Sequence, residues 1–221
     1  MREGTMTNDA DFTTSPGAAT WPESVTRRLE STPEQMAEAV VGRIPASRAE
    51  VDVVEWSADW SARFAELSAA ISDALGPVAL SVEHVGSTSV EQLAAKPIID
   101  IDITVADADA EDDYLPALES LGMWLVIREP WWHGHRLFVN EAGDCNVHVW
   151  PAGAGEPIRH LLFRDWLRTH PEDRERYATM KRELGDTHRS EPDRYNLAKN
   201  TIIDQIYARI FAAGPQPGVP L

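Results

Sequence analysis

Cysteine is almost absent from this sequence, since Cys145 is the only one among 221 residues. A single cysteine excludes an intramolecular disulfide and argues against a zinc site built on cysteine ligands. The sequence also lacks any run of about 18 apolar residues, the length that a membrane-spanning helix needs. Residues 1–20 carry neither the basic nor the apolar region of a secretory signal peptide. These absences predict a cytoplasmic protein that does not enter a membrane.

Basic residues are scarce as well, with 20 Lys and Arg against 36 Asp and Glu and a formal net charge of −16. Because a phosphate backbone is bound through basic patches, this charge argues against a nucleic-acid partner. The shortage is greatest in residues 51–155, which hold four Lys and Arg, whereas residues 156–221 hold eleven. An anionic ligand of the middle segment would therefore need counter-charges from metal ions or from the C-terminal third.

The order of the predicted elements indicates an α+β fold. The hydrophobic fraction of 43% and the charged fraction of 25% are those of an ordinary globular protein. Apolar residues at three- and four-residue steps predict an amphipathic helix over 57–76, ended by Gly76-Pro77. Further patterns predict strands at 51–56, 78–85, 97–105, 123–129, 135–142 and 145–152, and helices at 87–95, 109–121 and 156–212, the last with a break near Gly185. This order predicts a mixed sheet with helices on one face, followed by a C-terminal helical segment.

Composition divides the chain into five parts. Residues 1–22 are polar and lack periodicity, which predicts a disordered tail. Residues 23–50 are predicted to be an N-terminal helical extension, residues 51–155 the core, and residues 156–212 the C-terminal helices. A second disordered tail is predicted at residues 213–221.

Two aspartates stand inside one of the most apolar segments, IIDIDITV at 98–105. Because side chains alternate along a strand, Asp100 and Asp102 share one face and the flanking isoleucines share the other. Two residues along a strand span roughly 7 Å, so both carboxylates could reach one divalent cation. Magnesium suits such a site, since it takes one or two carboxylates together with water and substrate phosphates. The alternative is a half-exposed strand with solvated aspartates.

A Gly-Ser turn precedes these aspartates. Gly86-Ser87 follows a predicted strand and opens a predicted short helix, whose N-terminus would offer N–H groups to an anion. Ser87, Thr88 and Ser89 add hydroxyl donors, although Ser87 could also be no more than a helix cap. The order Gly, Ser, twelve residues, Asp, apolar, Asp resembles the signature of the polymerase-beta-like nucleotidyltransferase superfamily. That resemblance implies that the turn holds a nucleoside triphosphate and that the two aspartates bind Mg²⁺, with two ions possible.

Longer blocks resemble one family within that superfamily. EHVGSTSVEQLAAKPIIDI, RLFVN, NVHVW, FRDWLRTHPEDRERYATMK and YNLAKN are similar to the GrpB family over roughly residues 50–211. The resemblance implies a nucleotidyltransferase-like mixed sheet. Many family members continue GSTS with Val-Pro-Gly, where this chain has Val90-Glu91-Gln92, and the difference leaves the substrate geometry open. Some GrpB-like domains are fused to dephospho-CoA kinase, which points to nucleotide- or CoA-related chemistry.

The superfamily implies a third carboxylate on a neighbouring strand, often as a base or metal ligand. The predicted neighbour, CNVHVW, carries His148 instead, with Asn146 and Trp150 on the same face. His148 matches a histidine of the family and is expected to be a metal ligand, a general base or a hydrogen-bonding partner of the substrate, with a structural role as the alternative. Asp144 and Glu141 are further candidates for the acid.

A triphosphate needs cations, and several stand in blocks that match the family. Arg164 and Arg168 lie one helical turn apart and share a face. The candidate nucleotide- and phosphate-binding residues are Gly86, Ser87, Thr88, Ser89, Lys96, Arg136, Arg164, Arg168, Lys181 and Lys199. A solvated surface position is the alternative for each basic residue. The WWHGH run at 131–135 offers rings that would stack on a base or acceptor, or pack down their own loop.

These residues together predict an enzyme that uses Mg²⁺ to move a nucleotidyl group from an NTP to a small-molecule acceptor. Asp100, Asp102 and His148 are the expected catalytic residues, and the two aspartates are the expected metal ligands. The alternative is a non-catalytic module of the same fold that binds a nucleotide or a CoA-like ligand. The absence of a third acid favours this alternative, and the intact Asp-x-Asp disfavours it.

Overall fold

One five-stranded sheet organises residues 20–215, the part of the chain that this computed structural model describes. The strands are β1 Ser81–Val85, β2 Ile99–Val105, β3 Met123–Glu129, β4 His135–Asn140 and β5 Cys145–Pro151. The helices are α1 Glu23–Thr26, α2 Pro33–Ala39, α3 Asp59–Leu75, α4 Leu115–Ser120, α5 Gly155–Thr169, α6 Pro171–Thr187, α7 Pro192–Ala198 and α8 Asn200–Ala212. Most of the two predicted tails lies outside the described residues. Within residues 20–215, no helix has both the length and the apolar character to cross a membrane.

The strand order is β1-β2-β5-β4-β3. β2 and β5 run parallel, and the other neighbouring pairs are antiparallel. The register places Asn146 beside Asp100 and His148 beside Asp102. The predicted α+β fold is confirmed, as is β5 as the neighbour of the aspartate strand.

The two faces of the sheet differ in chemistry. Ile99, Ile101 and Ile103 are buried on the face that packs against α3 and α4. A second core joins α5, α6 and α8 to the segment that follows the Gly-Ser turn, where Leu93 and Ala94 are fully buried. The turn and the aspartate face therefore lie between the sheet and the C-terminal helices.

Two short elements differ from the sequence prediction. The expected strand at 51–56 is absent, because this segment runs beside α6 and only Val54 pairs, in an isolated bridge with Ala95. The expected helix over 87–95 is a single 3-10 turn, Ser87–Ser89. Hydroxyl groups of this turn bond to nearby carbonyl oxygens, an arrangement that competes with helix formation.

Two predicted helices also have different limits. The helix expected over 109–121 begins later, since a 3-10 turn at Glu111–Asp113 precedes α4 and Pro116 occupies the first turn of α4. The break expected near Gly185 lies slightly later, between the end of α6 at Thr187 and the start of α7 at Pro192. A Cβ at position 185 would lie 2.9 Å from the side chain of Val53. The glycine therefore permits close packing and does not end the helix.

Candidate functional site

The backbone of Gly86 lies directly on the carboxylate of Asp100. Antiparallel pairing sets Val85, the last residue of β1, opposite Asp100, so the next residue turns over that side chain. Gly86 has a φ of +67°, and a Cβ there would lie 2.2 Å from Asp100 Oδ2. Only glycine combines this backbone conformation with so close an approach.

The rest of the turn is held by local hydrogen bonds. Ser89 donates to the Gly86 carbonyl oxygen at 2.6 Å, and Thr88 donates to the Ile98 carbonyl oxygen at 3.2 Å. From α5, Arg168 donates to the Ser89 carbonyl oxygen at 2.8 Å, and Arg164 donates to the His84 carbonyl oxygen at 3.0 Å. Four of the predicted phosphate-binding residues therefore brace the turn.

Asp100 is an ionised carboxylate with few direct partners. Its Oδ1 accepts a hydrogen bond from Asn146 at 2.6 Å, and His148 Nε2 lies 3.9 Å from the same oxygen. Burial alone would raise the pKa of Asp100, but His148, Asn146 and Lys96 together lower it below its usual range.

Asp102 lies on the same face of the sheet as Asp100, but its carboxylate has different hydrogen-bond partners. Its side chain is nearly buried, Oδ2 accepts from His160 Nδ1 at 2.7 Å, and Oδ1 accepts from Trp150 Nε1 at 3.0 Å. Burial would raise the pKa of Asp102, and the charge and hydrogen bond of His160 lower it. Burial would lower the pKa of His160, but Asp102 raises it to about 9. Asp102 and His160 form an ion pair through Oδ2, and the bond from Trp150 occupies the other oxygen.

Two cavities meet at Asp100. We call the larger, of about 600 Å³, the lysine cavity, and the smaller, of about 400 Å³, the histidine cavity. Ser87, Asp100 and Lys199 line both. The lysine cavity is otherwise lined mostly by polar groups of both charges: the basic Arg48, Lys96 and Lys181, the acidic Glu50, Asp52, Asp144 and Asp193, and the neutral Asn146 and Tyr195. The histidine cavity is lined mainly by rings and apolar groups that include Trp132, His148, His160, Phe163, Ile203 and Tyr207.

The amines of the lysine cavity lie in a buried environment that disfavours their charged form. Lys181 is 1% exposed, and its Nζ has no hydrogen-bond partner among the described residues. Burial lowers the pKa of Lys181 well below its usual value, and the neighbouring charge of Lys199 lowers it further. Burial, with the charge of Lys96, lowers the pKa of Lys199 to about 8, although Asp100 opposes the shift. Because a buried charge without a partner is costly, this cluster favours an anionic ligand.

Other predicted residues lie elsewhere. Arg136 projects from the opposite face of β4, where it donates to Glu111, Asp109 and the Gly134 carbonyl oxygen, and it lines neither cavity. The two further candidates for the third acid are also engaged. Asp144 pairs with Arg63, and Glu141 pairs with Arg43.

Sequence reasoning missed two residues of the site, Glu129 and Arg48, and considered His135 only as part of the WWHGH run. His135 Nε2 lies 2.9 Å from His148 Nδ1, and His135 Nδ1 lies 2.7 Å from Glu129 Oε2. Glu129 and His135 flank the WWHG turn and pair across the β3-β4 hairpin, so hairpin register is the signal that could have found them. Arg48, which donates to Asn146 and to the Cys145 carbonyl oxygen, lies in the N-terminal extension, where no motif marks it. Trp132 of the WWHGH run packs edge-on against Trp150 with 5.3 Å between ring centroids.

The fold and this site define a class of protein: an α+β domain in which a glycine turn covers a strand carboxylate beside a cavity of buried lysines. The chain belongs to the GrpB family, since the family profile described as "GrpB protein" matches residues 50–209. A UPF0157 protein of Halalkalibacterium halodurans is 42% identical over 181 residues, which cover 82% of this chain and 93% of that protein. The crystal structure of the conserved protein GrpB from Enterococcus faecalis has a TM-score of 0.67 and 32% identity, covering 73% of this chain and 98% of that one.

A more distant similarity concerns a larger protein. The dephospho-CoA kinase of Mycolicibacterium paratuberculosis is 28% identical over 195 residues, which cover 75% of this chain but 47% of that protein. The similarity therefore concerns about half of that kinase.

Proposed function

We propose that this protein is a Mg²⁺-dependent nucleotidyltransferase of the polymerase-beta-like superfamily, which moves a nucleotidyl group from an NTP to a small-molecule acceptor in the cytoplasm. The observation that carries the proposal is the Gly86 turn on Asp100, in a cavity shared with Lys181, whose buried Nζ has no hydrogen-bond partner among the described residues. A phosphate chain would supply the anion that the lysine cavity favours. The similarity to a dephospho-CoA kinase agrees with nucleotide-related chemistry. A formal charge of −16 argues against a nucleic-acid acceptor.

The donor and the acceptor would approach Asp100 from opposite sides. Lys96, Lys181 and Lys199 would neutralise the phosphates in the lysine cavity, and Ser87 lines the boundary between the two cavities. The acceptor would enter the histidine cavity, where His148 lies beside Asp100. The lysine cavity would thus hold the charged donor, and the histidine cavity, which is richer in rings and apolar groups, would hold a less charged acceptor.

Magnesium fits this site through Asp100. The carboxylate is ionised, its Oδ2 faces the turn, and the adjoining cavity would place phosphate oxygens nearby. Asp102 could join only by releasing His160 and Trp150, which occupy both of its oxygens. When bound, Mg²⁺ would supply charge stabilisation for the triphosphate. One carboxylate with water and substrate phosphates is an ordinary ligand set for this ion.

The chain's own residues would position the reactants and manage one proton. His148 would accept the proton of the acceptor hydroxyl as that oxygen forms a bond to the α-phosphorus. The bond from the α-phosphorus to the bridging oxygen would break, and pyrophosphate would leave with the negative charge. The lysines would stabilise that charge in a cavity that excludes much of the solvent.

One observation favours a second candidate, a non-catalytic module that binds the same class of nucleotide or CoA-like ligand. Asp102 is committed to His160, and among residues 20–215 no three His, Cys, Asp or Glu side chains form a cluster suited to a metal. Such a protein would use the lysine cavity for binding and would transfer nothing.

The two candidates differ in turnover. Each NTP is incubated with the protein, Mg²⁺ and a pool of small-molecule alcohols, and pyrophosphate release is measured together with thermal unfolding. We expect release with at least one NTP, its loss in Asp100→Asn and its retention in Asp73→Asn, which makes the same change on the exposed side of α3. Stabilisation by nucleotide without release would support the binding module. Neither response would contradict both candidates.

A further inference from the structure

Three side chains from three strands form a continuous hydrogen-bonded row. Glu129 ends β3, His135 begins β4, and His148 lies in the middle of β5. Glu129 Oε2 is 2.7 Å from His135 Nδ1, and His135 Nε2 is 2.9 Å from His148 Nδ1. The row ends at His148 Nε2, which lies 3.9 Å from Asp100 Oδ1. It therefore links a carboxylate on the third strand to the centre of the candidate site.

Packing fixes the orientation of the rings in this row. The side chain of His135 is 3% exposed, and those of Glu129 and His148 are 13% and 19% exposed. The His135 ring stacks on Trp150 with 4.3 Å between centroids, and Trp132 packs edge-on against it at 5.1 Å. A flip of the His135 ring would break both hydrogen bonds, so each ring nitrogen keeps its partner.

The chemistry of Glu129 then sets the direction of every bond in the row. An ionised carboxylate only accepts, so His135 must donate from Nδ1. A neutral His135 then has a lone pair on Nε2, which accepts from His148 Nδ1. Burial lowers the pKa of His135 well below its usual value, so it stays neutral. Protonation of Glu129, whose pKa burial raises, would reverse the direction of the whole row.

We propose that Glu129 and His135 are positioning residues that hold His148 as the Nδ1–H tautomer and present its Nε2 lone pair beside Asp100. The purpose of this lone pair rests on the proposed function, since it would accept the proton of the acceptor hydroxyl. Two acceptors, Nε2 and the Asp100 carboxylate, face each other at 3.9 Å, beyond hydrogen-bond distance. A molecule that hydrogen-bonds to Nε2 must donate, so the acceptor is expected to be an alcohol or another molecule that carries an O–H or N–H.

The tautomer of His148 is measured directly by ¹⁵N NMR of the imidazole nitrogens in the full-length protein. The His148 signals are assigned from their loss in His148→Gln, at about pH 8.5, where an unperturbed imidazole is neutral. In the wild type we expect a protonated Nδ1 and an unprotonated Nε2. A wild-type His148 that carries its proton on Nε2 overturns the proposal, and this result requires no variant of the row.

Two variants test the role of the row itself. His135→Phe keeps the stacked ring but cannot accept, and Glu129→Leu removes the acceptor at the end of the row. Both should shift His148 to the Nε2–H tautomer, which is the intrinsically favoured form of a neutral imidazole and points its proton toward the Asp100 carboxylate. A control, Glu191→Leu, removes the carboxylate 3.4 Å from His188 at the surface and should leave His148 unchanged. An unchanged Nδ1–H tautomer in either folded row variant contradicts the assignment of positioning residues.

Turnover separates this proposal from the proposed function. If pyrophosphate release is found, Glu129→Leu should lower kcat by about 10- to 100-fold with an unchanged KM for the NTP, since the row lies away from the lysine cavity. A kcat equal to that of the wild type would contradict the purpose assigned to the lone pair. Absence of any turnover, with the Nδ1–H tautomer observed, would refute the transferase proposal and leave the positioning of His148 intact.

Discussion

Replacement of Gly86 by alanine tests the contact on which the candidate site depends. The new Cβ would lie 2.2 Å from Asp100 Oδ2, 2.8 Å from Cγ and 2.9 Å from the Cβ of Asp100, so the carboxylate or the turn must move. The φ of +67° adds backbone strain of about 1 kcal/mol for a residue with a side chain. Movement of the carboxylate would weaken its 2.6 Å bond to Asn146, a charge-assisted bond of about 1.5–3 kcal/mol. The free energy of unfolding should therefore fall by about 2–4 kcal/mol.

Gly122→Ala provides the matched control for this change. Gly122 has a φ of +75°, but a Cβ there would meet nothing within 4 Å. Urea denaturation of both variants should show a loss of about 1 kcal/mol for Gly122→Ala, and the excess loss in Gly86→Ala measures the contact with Asp100 together with the added backbone strain from the ψ of −170° at Gly86. Combining Gly86→Ala with Asp100→Ala should cost less than the sum of the single changes, because the second change removes the obstacle. Equal losses in the two glycine variants, or strict additivity in the double variant, would refute this account.

Three further predictions concern the charged groups. Lys181→Met should raise the free energy of unfolding by about 1–3 kcal/mol, because it removes a buried amine whose Nζ has no hydrogen-bond partner among the described residues. The same variant should bind ATP at least about 10-fold more weakly when the affinity is measured by calorimetry. The pKa of His160 is about 9 when folded and about 6.5 when unfolded, so its pairing with Asp102 stabilises the protein fully below pH 6.5 and not above 9. The difference in urea stability between wild type and His160→Gln should accordingly shrink by about 2–3 kcal/mol between pH 6.5 and 9.5, and a constant difference would contradict the ion pair. Arg136→Met should cost about 1–3 kcal/mol of stability, because Glu111 loses one of its two arginine partners and keeps Arg128, yet it should leave ATP affinity unchanged, and a loss of affinity would return Arg136 to the site.

Local patterns in the sequence were enough to predict the aspartate strand. Strict alternation of isoleucine and aspartate determines which side chains share a face, and β5 follows as the neighbour with His148 on that face. The same rule would have placed Arg136 correctly, because it alternates with His135 and Leu137 and so projects from the other face. The uneven distribution of basic residues also indicated that counter-charges come from the C-terminal third, where Lys181 and Lys199 stand.

Local sequence patterns do not predict contacts between segments that are far apart in the sequence. His160 is 58 residues from Asp102 and meets it only because α5 packs toward the polar face. Periodicity predicts that α5 is a helix but not where its histidine points. Gly185 shows the same limit, since a glycine is a common end of a helix and only the proximity of Val53 explains why α6 continues through it.

The two aspartates have different environments, which explains how one motif can contribute both to the stability of the fold and to the candidate functional site. Asp102 satisfies its charge internally through His160 and Trp150, so the fold itself requires it to be ionised. Asp100 has one amide donor and a histidine at 3.9 Å, and it lines a cavity with Lys181 and Lys199, whose pKa values burial lowers. Removal of Asp102 should therefore be destabilising with or without ligand, whereas removal of Asp100 should mainly change what the cavities bind. A ligand that carries both negative charge and a divalent cation would balance the lysines and the carboxylate together, which neither charge alone would do.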